Sequence, residues 1–146
     1  MLRGFFNKIW RAEGKDQTLS SIDAIALKHK ARNGIEVAEW PNARQMGTLS
    51  KHTGVEWSRY NKGGKKYIQS GGKNYGGWGF DQATTHMSRT HFNTALPSVQ
   101  DYMAWRVANA QGAKIKTLDI ILNGKMRKWD MTRIEVARRL KLIQDF

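Results

Sequence analysis

The sequence predicts a mainly α protein with one small β-hairpin, an α+β chain in which helices dominate. Three observations carry that expectation. Apolar residues recur at helical spacing along most of the 146 residues, Gly and Pro fall where such runs would stop, and a glycine-rich block in the middle cannot sustain a long helix. With 40% apolar and 25% charged residues the composition is that of a folded chain, long enough for one domain or two small lobes. Absence of cysteine excludes a disulfide scaffold, a Cys-ligated zinc site and thiol chemistry.

Taken in order, Leu2, Phe5, Phe6, Ile9 and Trp10 repeat as one helical face, which needs a core, a partner subunit or a membrane surface to rest on. Charge interrupts that stretch and no small-residue cleavage site follows, so no secretory signal is read and an intracellular location is expected, with a virion as an alternative setting. A second helix is predicted from Ser20 or Ser21 to Asn33, with Ile22, Ile25 and Ala26 on one side and Gly34 ending it. Ile35 to Trp40 reads as extended and Pro41 closes it; Ala43 to Thr53 reads as a third helix ended by Gly54. Between Asn61 and Gly79 lie seven of the fourteen glycines, predicting a hairpin such as Lys65–Gln69 paired with Tyr75–Phe80. Residues 81–95 are predicted to return to helix, Pro97 breaks it, and everything after Ser98 has helical periodicity. The chain thus divides into a helical segment (1–60), a Gly/Lys/aromatic hairpin or loop (61–80) and a second helical segment (81–146).

Charge narrows the function classes. A formal net charge of +13 attracts polyanions, nucleic acid first and an anionic membrane surface second. No apolar run approaches bilayer-spanning length, so no transmembrane segment is expected. The surplus is uneven: residues 41–80 carry +6 and residues 98–146 carry +5. A polyanion would sit on those two stretches.

The most informative stretch runs from Met103 to Gly124. A small residue, Ala108, stands where two crossing helices would touch, Gly112 suits a turn of positive φ, Leu118 and Ile121 recur at three-residue spacing, and Asn123-Gly124 tolerates a left-handed stop. These places, with Thr117-Leu118 and the closing Asn123-Gly124-Lys125, resemble the lambda-repressor-like helix-turn-helix domains. Met126-Arg127-Lys128 and a helix from Thr132, with Glu135 completing a capping box, continue the likeness. Gln111 and Ala113 depart from the family's pattern. The resemblance implies a helix-turn-helix-containing helical bundle whose recognition helix enters the major groove of double-stranded DNA. In that reading Lys116, Asp119, Ile120 and Asn123 face base edges, Lys114, Lys125, Arg127 and Lys128 hold phosphates, and Thr117 belongs to the same DNA-binding set. Such proteins often pair as homodimers.

The glycine-rich block adds a second element of that expectation. Arg59, Lys62, Lys65, Lys66 and Lys73 would supply charge to a wing along the phosphates, with Tyr67, Tyr75 and Trp78 as stacking rings or as core. The expected function is non-catalytic double-stranded DNA binding in a regulatory or accessory role, without a cofactor or metal. Two alternatives stand beside it: a sequence-independent nucleic-acid-binding or virion component, and a metal-dependent nuclease built from Glu56, Asp81, His86 and His91.

Overall fold

Ser20 starts the first helix: its hydroxyl accepts the amide proton of Asp23 at 3.1 Å, and Asp23 places its charge in the first turn, where the helix dipole favours it. The computed structural model describes residues 20–71 and 84–134. Helix α1 spans Ser21–Lys30, strand β1 Ile35–Val37, helix α2 Ala43–Thr53, strand β2 Trp57–Lys62, strand β3 Lys65–Ser70 and strand β4 Met87–His91. Helix α3 covers Val99–Ala110, followed by strands β5 Thr117–Leu122 and β6 Lys125–Asp130, and residues 131–134 are again helical.

The six strands form one sheet in the order β1-β3-β2-β4-β5-β6. Neighbours are antiparallel throughout except β4 and β5, which run parallel with α3 as their crossover. Alternation along the strands separates two cores. Trp57, Ile68 and Ile121 pack under Ala24, Leu27 and Ala31 of the first helix and Met46 and Leu49 of the second. Tyr60, Met87, Leu118 and Ile120 point the other way, onto Tyr102, Trp105 and Ala108 of α3. The sheet is therefore sandwiched between α1 and α2 on one side and α3 on the other.

Asn42 and Gln45 close a capping box at the start of α2, and Gly54 ends that helix at φ 69°, so Ala43–Thr53 folds as its residues predict. α3 follows the same logic, capped by Ser98 and Asp101 and released at Gly112 with φ 106°.

The mainly α architecture is overturned. A six-stranded mixed sheet organises the described chain, and the helix-turn-helix bundle is absent because its second helix is strand β5. Leu118 and Ile120 alternate inward, and Asn123 (φ 53°) with Gly124 (φ 77°) forms the two-residue turn of the β5–β6 hairpin rather than a helix stop. Residues 87–91, expected in a helix, are β4, buried along its whole length in the middle of the sheet. β3 does include Lys65–Gln69, but its two edges are taken by β2 and β1, not by 75–80. On α1 the buried side chains are Ala24 and Leu27, whereas Ile22 is 81% exposed and Ile25 45%. Asp130, not Thr132, caps the last helical turn, accepting from the amides of Thr132 and Arg133. The amino-terminal helix, Lys73, Tyr75, Trp78, Asp81 and Glu135 lie outside the described residues.

Candidate functional site

In a sheet with a parallel pair, the crevice beyond the carboxyl ends of those strands is the usual ligand position. Here that crevice is a cleft of about 650 Å³ at the ends of β4 and β5, roofed by α2. Thr90, His91 and Phe92 enter it from β4, Ile121, Asn123 and Gly124 from the β5–β6 hairpin, and Arg44, Thr48 and Lys51 from α2. One wall depends on glycine. A Cβ added to Gly47 would lie 2.9 Å from the backbone nitrogen of Gly124, so α2 reaches the hairpin turn only because position 47 lacks a side chain, while Gly124 serves the turn by its φ of 77°.

The lining contains two exposed cations, Arg44 and Lys51, and no carboxylate. Its hydroxyls are committed to the fold: Thr90 accepts the Trp57 amide at 2.8 Å and donates to Ser50 at 3.2 Å, while Ser50 donates to the Val55 carbonyl at 2.8 Å. Thr48 donates to the Arg44 carbonyl at 3.0 Å. The cations and the Asn123 amide remain to meet a ligand. Phe92, 38% exposed, adds an aromatic ring at the margin.

Behind the cleft lies a cluster of buried charge. Asp101 is fully buried at the start of α3; one of its oxygens accepts from Arg89 at 2.9 Å, the other from His91 at 2.8 Å and from the Ser98 amide at 2.8 Å. His91 Nδ1 faces the Thr94 carbonyl at 3.1 Å, so both ring nitrogens point at acceptors, an arrangement that favours the doubly protonated ring. Burial alone would lower the His91 pKa, but the hydrogen bond and charge of Asp101 outweigh it and the net shift is upward. Asp101 goes the other way: burial would raise its carboxyl, yet hydrogen bonding to His91 and the charge of Arg89 bring it down to about 2. The cluster pins α3 to β4.

Glu56 stands beside it, lining a second cavity of about 260 Å³ with His91, Phe92, Ser98 and Gln100. Burial pushes its carboxyl up to about 7, against the opposing pull of His91. His91 and Phe92 border both cavities.

The residues expected to read DNA are dispersed. Ile120 is fully buried and Asp119 half-buried, one oxygen accepting from Ser88 at 3.3 Å and the other enclosed without a hydrogen bond among the described residues. Neither can meet a base edge. Thr117 is half-buried opposite Asp130, and Lys114 and Lys116 are exposed on the loop before β5. Asn123 enters the cleft, and Lys125, Arg127 and Lys128 are exposed on β6, the Arg127 guanidinium 4.2 Å from the centre of the Trp129 ring. Arg59 is an internal latch, donating to the Pro41 carbonyl at 2.6 Å and Ser88 at 3.2 Å; burial lowers its pKa, opposed by Asp119.

Lys62 lies 5.4 Å from the ring of Tyr67, which itself stacks on Tyr60, while Lys65 and Lys66 pair with Glu36 and Glu39 at 3.9 and 3.0 Å. Glu56 and His91 share a cavity, but His86 sits at the opposite end of β4, roughly 16 Å away at strand rise. No group of three or more His, Asp and Glu side chains placed for a metal ion occurs among the described residues.

Arg44 and Lys51 escaped the sequence reading, although seven positions apart on a predicted helix puts both on one face. Arg89 and Asp101 escaped it too, because nothing local marks a strand arginine or a first-turn aspartate as partners. Fold and cleft define the class: a mixed α/β sheet with one parallel crossover and a cationic crevice at its carboxyl ends. Comparison with protein-family models, with curated proteins and with solved structures finds no match to this chain. No helix among the described residues is long and apolar enough to cross a membrane.

Proposed function

We propose that the chain binds nucleic acid without catalysis and largely without regard to sequence, holding the phosphate backbone on the face made by α2 and the β5–β6 hairpin. The carrying observation is the carboxylate-free cleft rimmed by Arg44 and Lys51, with the exposed Lys128 of β6 on the same side of the sheet, since its partner Asp119 shares a face with Ile121; Lys125 and Arg127, opposite Leu122 and Ile120, project on the α3 side. A chain of net charge +13 supplies long-range attraction, and a rim of cations converts it into contacts whose strength falls with salt.

Fluorescence anisotropy with a labelled duplex and a labelled single strand, across a tenfold range of salt, tests this. The triple variant R44Q/K51Q/K128Q is expected to flatten the logarithmic salt slope by roughly 2 to 3. K62Q/K65Q/K66Q should leave it nearly unchanged. Equal losses from the two triple variants, or no binding by the wild type at low salt, would refute the proposal.

A phosphodiesterase reading has one observation in its favour: the Glu56 carboxyl, pushed up to about 7, shares a cavity with His91, whose pKa is raised. Cleavage of labelled RNA or DNA by the wild type but not by Glu56→Gln would replace the binding function with that one.

A further inference from the structure

The cleft has the volume of a small-ligand site, and its chemistry is divided. At about 650 Å³ it falls within the ~300–1,000 Å³ of small-ligand sites. One side offers Arg44 and Lys51; the margin offers the exposed ring of Phe92; the floor offers Ile121, an apolar side chain. Asn123 is held at φ 53° by the hairpin turn and its side chain is exposed at the mouth, where an amide can both donate and accept. Cations beside an aromatic ring and an amide match a ligand with an anionic group joined to a flat, hydrogen-bonding heterocycle.

We infer that this cleft takes one nucleotide unit, its phosphate on Arg44 and Lys51 and its base against Phe92 with an edge toward Asn123. The inference rests on the nucleic-acid reading and specifies it: a strand is held by inserting one unstacked nucleotide, so single strands and frayed ends bind better than closed duplex. Base-to-aromatic stacking tolerates every base, which makes the site indifferent to sequence. Gly47 is needed at the wall because any side chain there would separate α2 from the hairpin that supplies Asn123.

Isothermal titration of the full chain with AMP, adenosine and inorganic phosphate tests the assignment, followed by competition of AMP against a labelled single-stranded dodecamer. AMP should bind at least tenfold tighter than either inorganic phosphate or adenosine and should displace the dodecamer. R44Q/K51Q should weaken AMP at least tenfold, and Phe92→Ala should remove most of its advantage over inorganic phosphate. Both variants alter exposed side chains, and circular dichroism verifies their folding. Inorganic phosphate matching AMP, or an AMP preference that survives Phe92→Ala, overturns the inference. If the dodecamer binds and AMP neither binds nor competes, the nucleotide site falls and the backbone-binding function stands. If AMP binds and the dodecamer binds no better, the site stands and the polymer function falls. Absence of both overturns both.

Discussion

The two β-hairpins of this protein are built alike and placed differently. β2–β3 turns at Gly63-Gly64 and β5–β6 at Asn123-Gly124, each with positive φ at both turn residues, as tight antiparallel connections require. β2–β3 lies inside the sheet, with β1 on one flank and β4 on the other, and two of its lysines are paired with the acids of β1 and the residues after it. β6 is the last strand of the sheet, and its Lys125, Arg127 and Lys128 have no ion pair to a carboxylate among the described residues. Two stretches of nearly equal positive charge thus differ in what they can offer a polyanion. Net charge counts cations; only strand placement shows which ones are already engaged.

The most drastic way to break the comparison is to cut the strand between the hairpins. Asp101→Ala leaves Arg89 and His91 buried without their carboxylate, and urea unfolding should show a loss of about 3–5 kcal/mol. Smaller effects sharpen the contrast. Gly47→Val drives a side chain into the β5–β6 turn and should cost about 3 kcal/mol, whereas Gly64→Ala meets no atom within 4 Å and should cost only the ~1–2 kcal/mol of a left-handed alanine.

Next comes a pH effect at the entry to β2. Glu56 ionises near its ordinary value of 4.5 when unfolded but near 7 when folded, so the folded state holds the extra proton between those values and stability falls as pH rises through that window. Thermal melts should therefore show Glu56→Gln more stable than the wild type by about 2 kcal/mol at pH 8, with the gap closing at pH 5. A gap of equal size at both values would remove the carboxyl as its cause. His91, with a raised folded pKa, contributes stability that is full below its ordinary 6.5 and is lost as pH rises through the folded value; in Glu56→Gln that loss persists. Smallest of all, K65Q/K66Q should change unfolding free energy by less than about 1 kcal/mol, since both pairs are on the surface.

How much of this was readable in advance depended on whether a residue's role was local. α2 was legible because Gly54 stops it and no competing pattern crosses it. The β5–β6 hairpin was not, because Asn-Gly serves equally as a helix stop and as a hairpin turn, and both need left-handed backbone at the same positions. The deciding signal lay on either side: Thr117-Leu-Asp-Ile-Ile-Leu122 is rich in β-branched residues, and Lys125 to Asp130 mirrors it in length. Helix α3 and a positive-φ turn at Gly112 do form, but the turn leads into strand β5, so Ala108 packs on the sheet and not on a crossing helix. Of the cleft, Asn123 was in view; Glu56 and His91 of the neighbouring cavity were read only as members of a metal set with Asp81 and His86, and His86 lies at the other end of β4. Arg89 and Asp101 were not, since twelve residues and a change of element separate two groups that meet only in the folded sheet.

The outer margin of β6 has a further consequence. Among the described residues β6 is bonded to β5 alone, which leaves amide and carbonyl groups facing outward, and the exposed Lys125, Arg127 and Lys128 would repel their counterparts on the same edge of another copy. A bound polyphosphate chain would cancel the repulsion without covering those backbone groups. Colloidal behaviour is thereby tied to occupancy: titrated with inorganic polyphosphate to charge neutrality, the protein should turn from a clear solution to a turbid one.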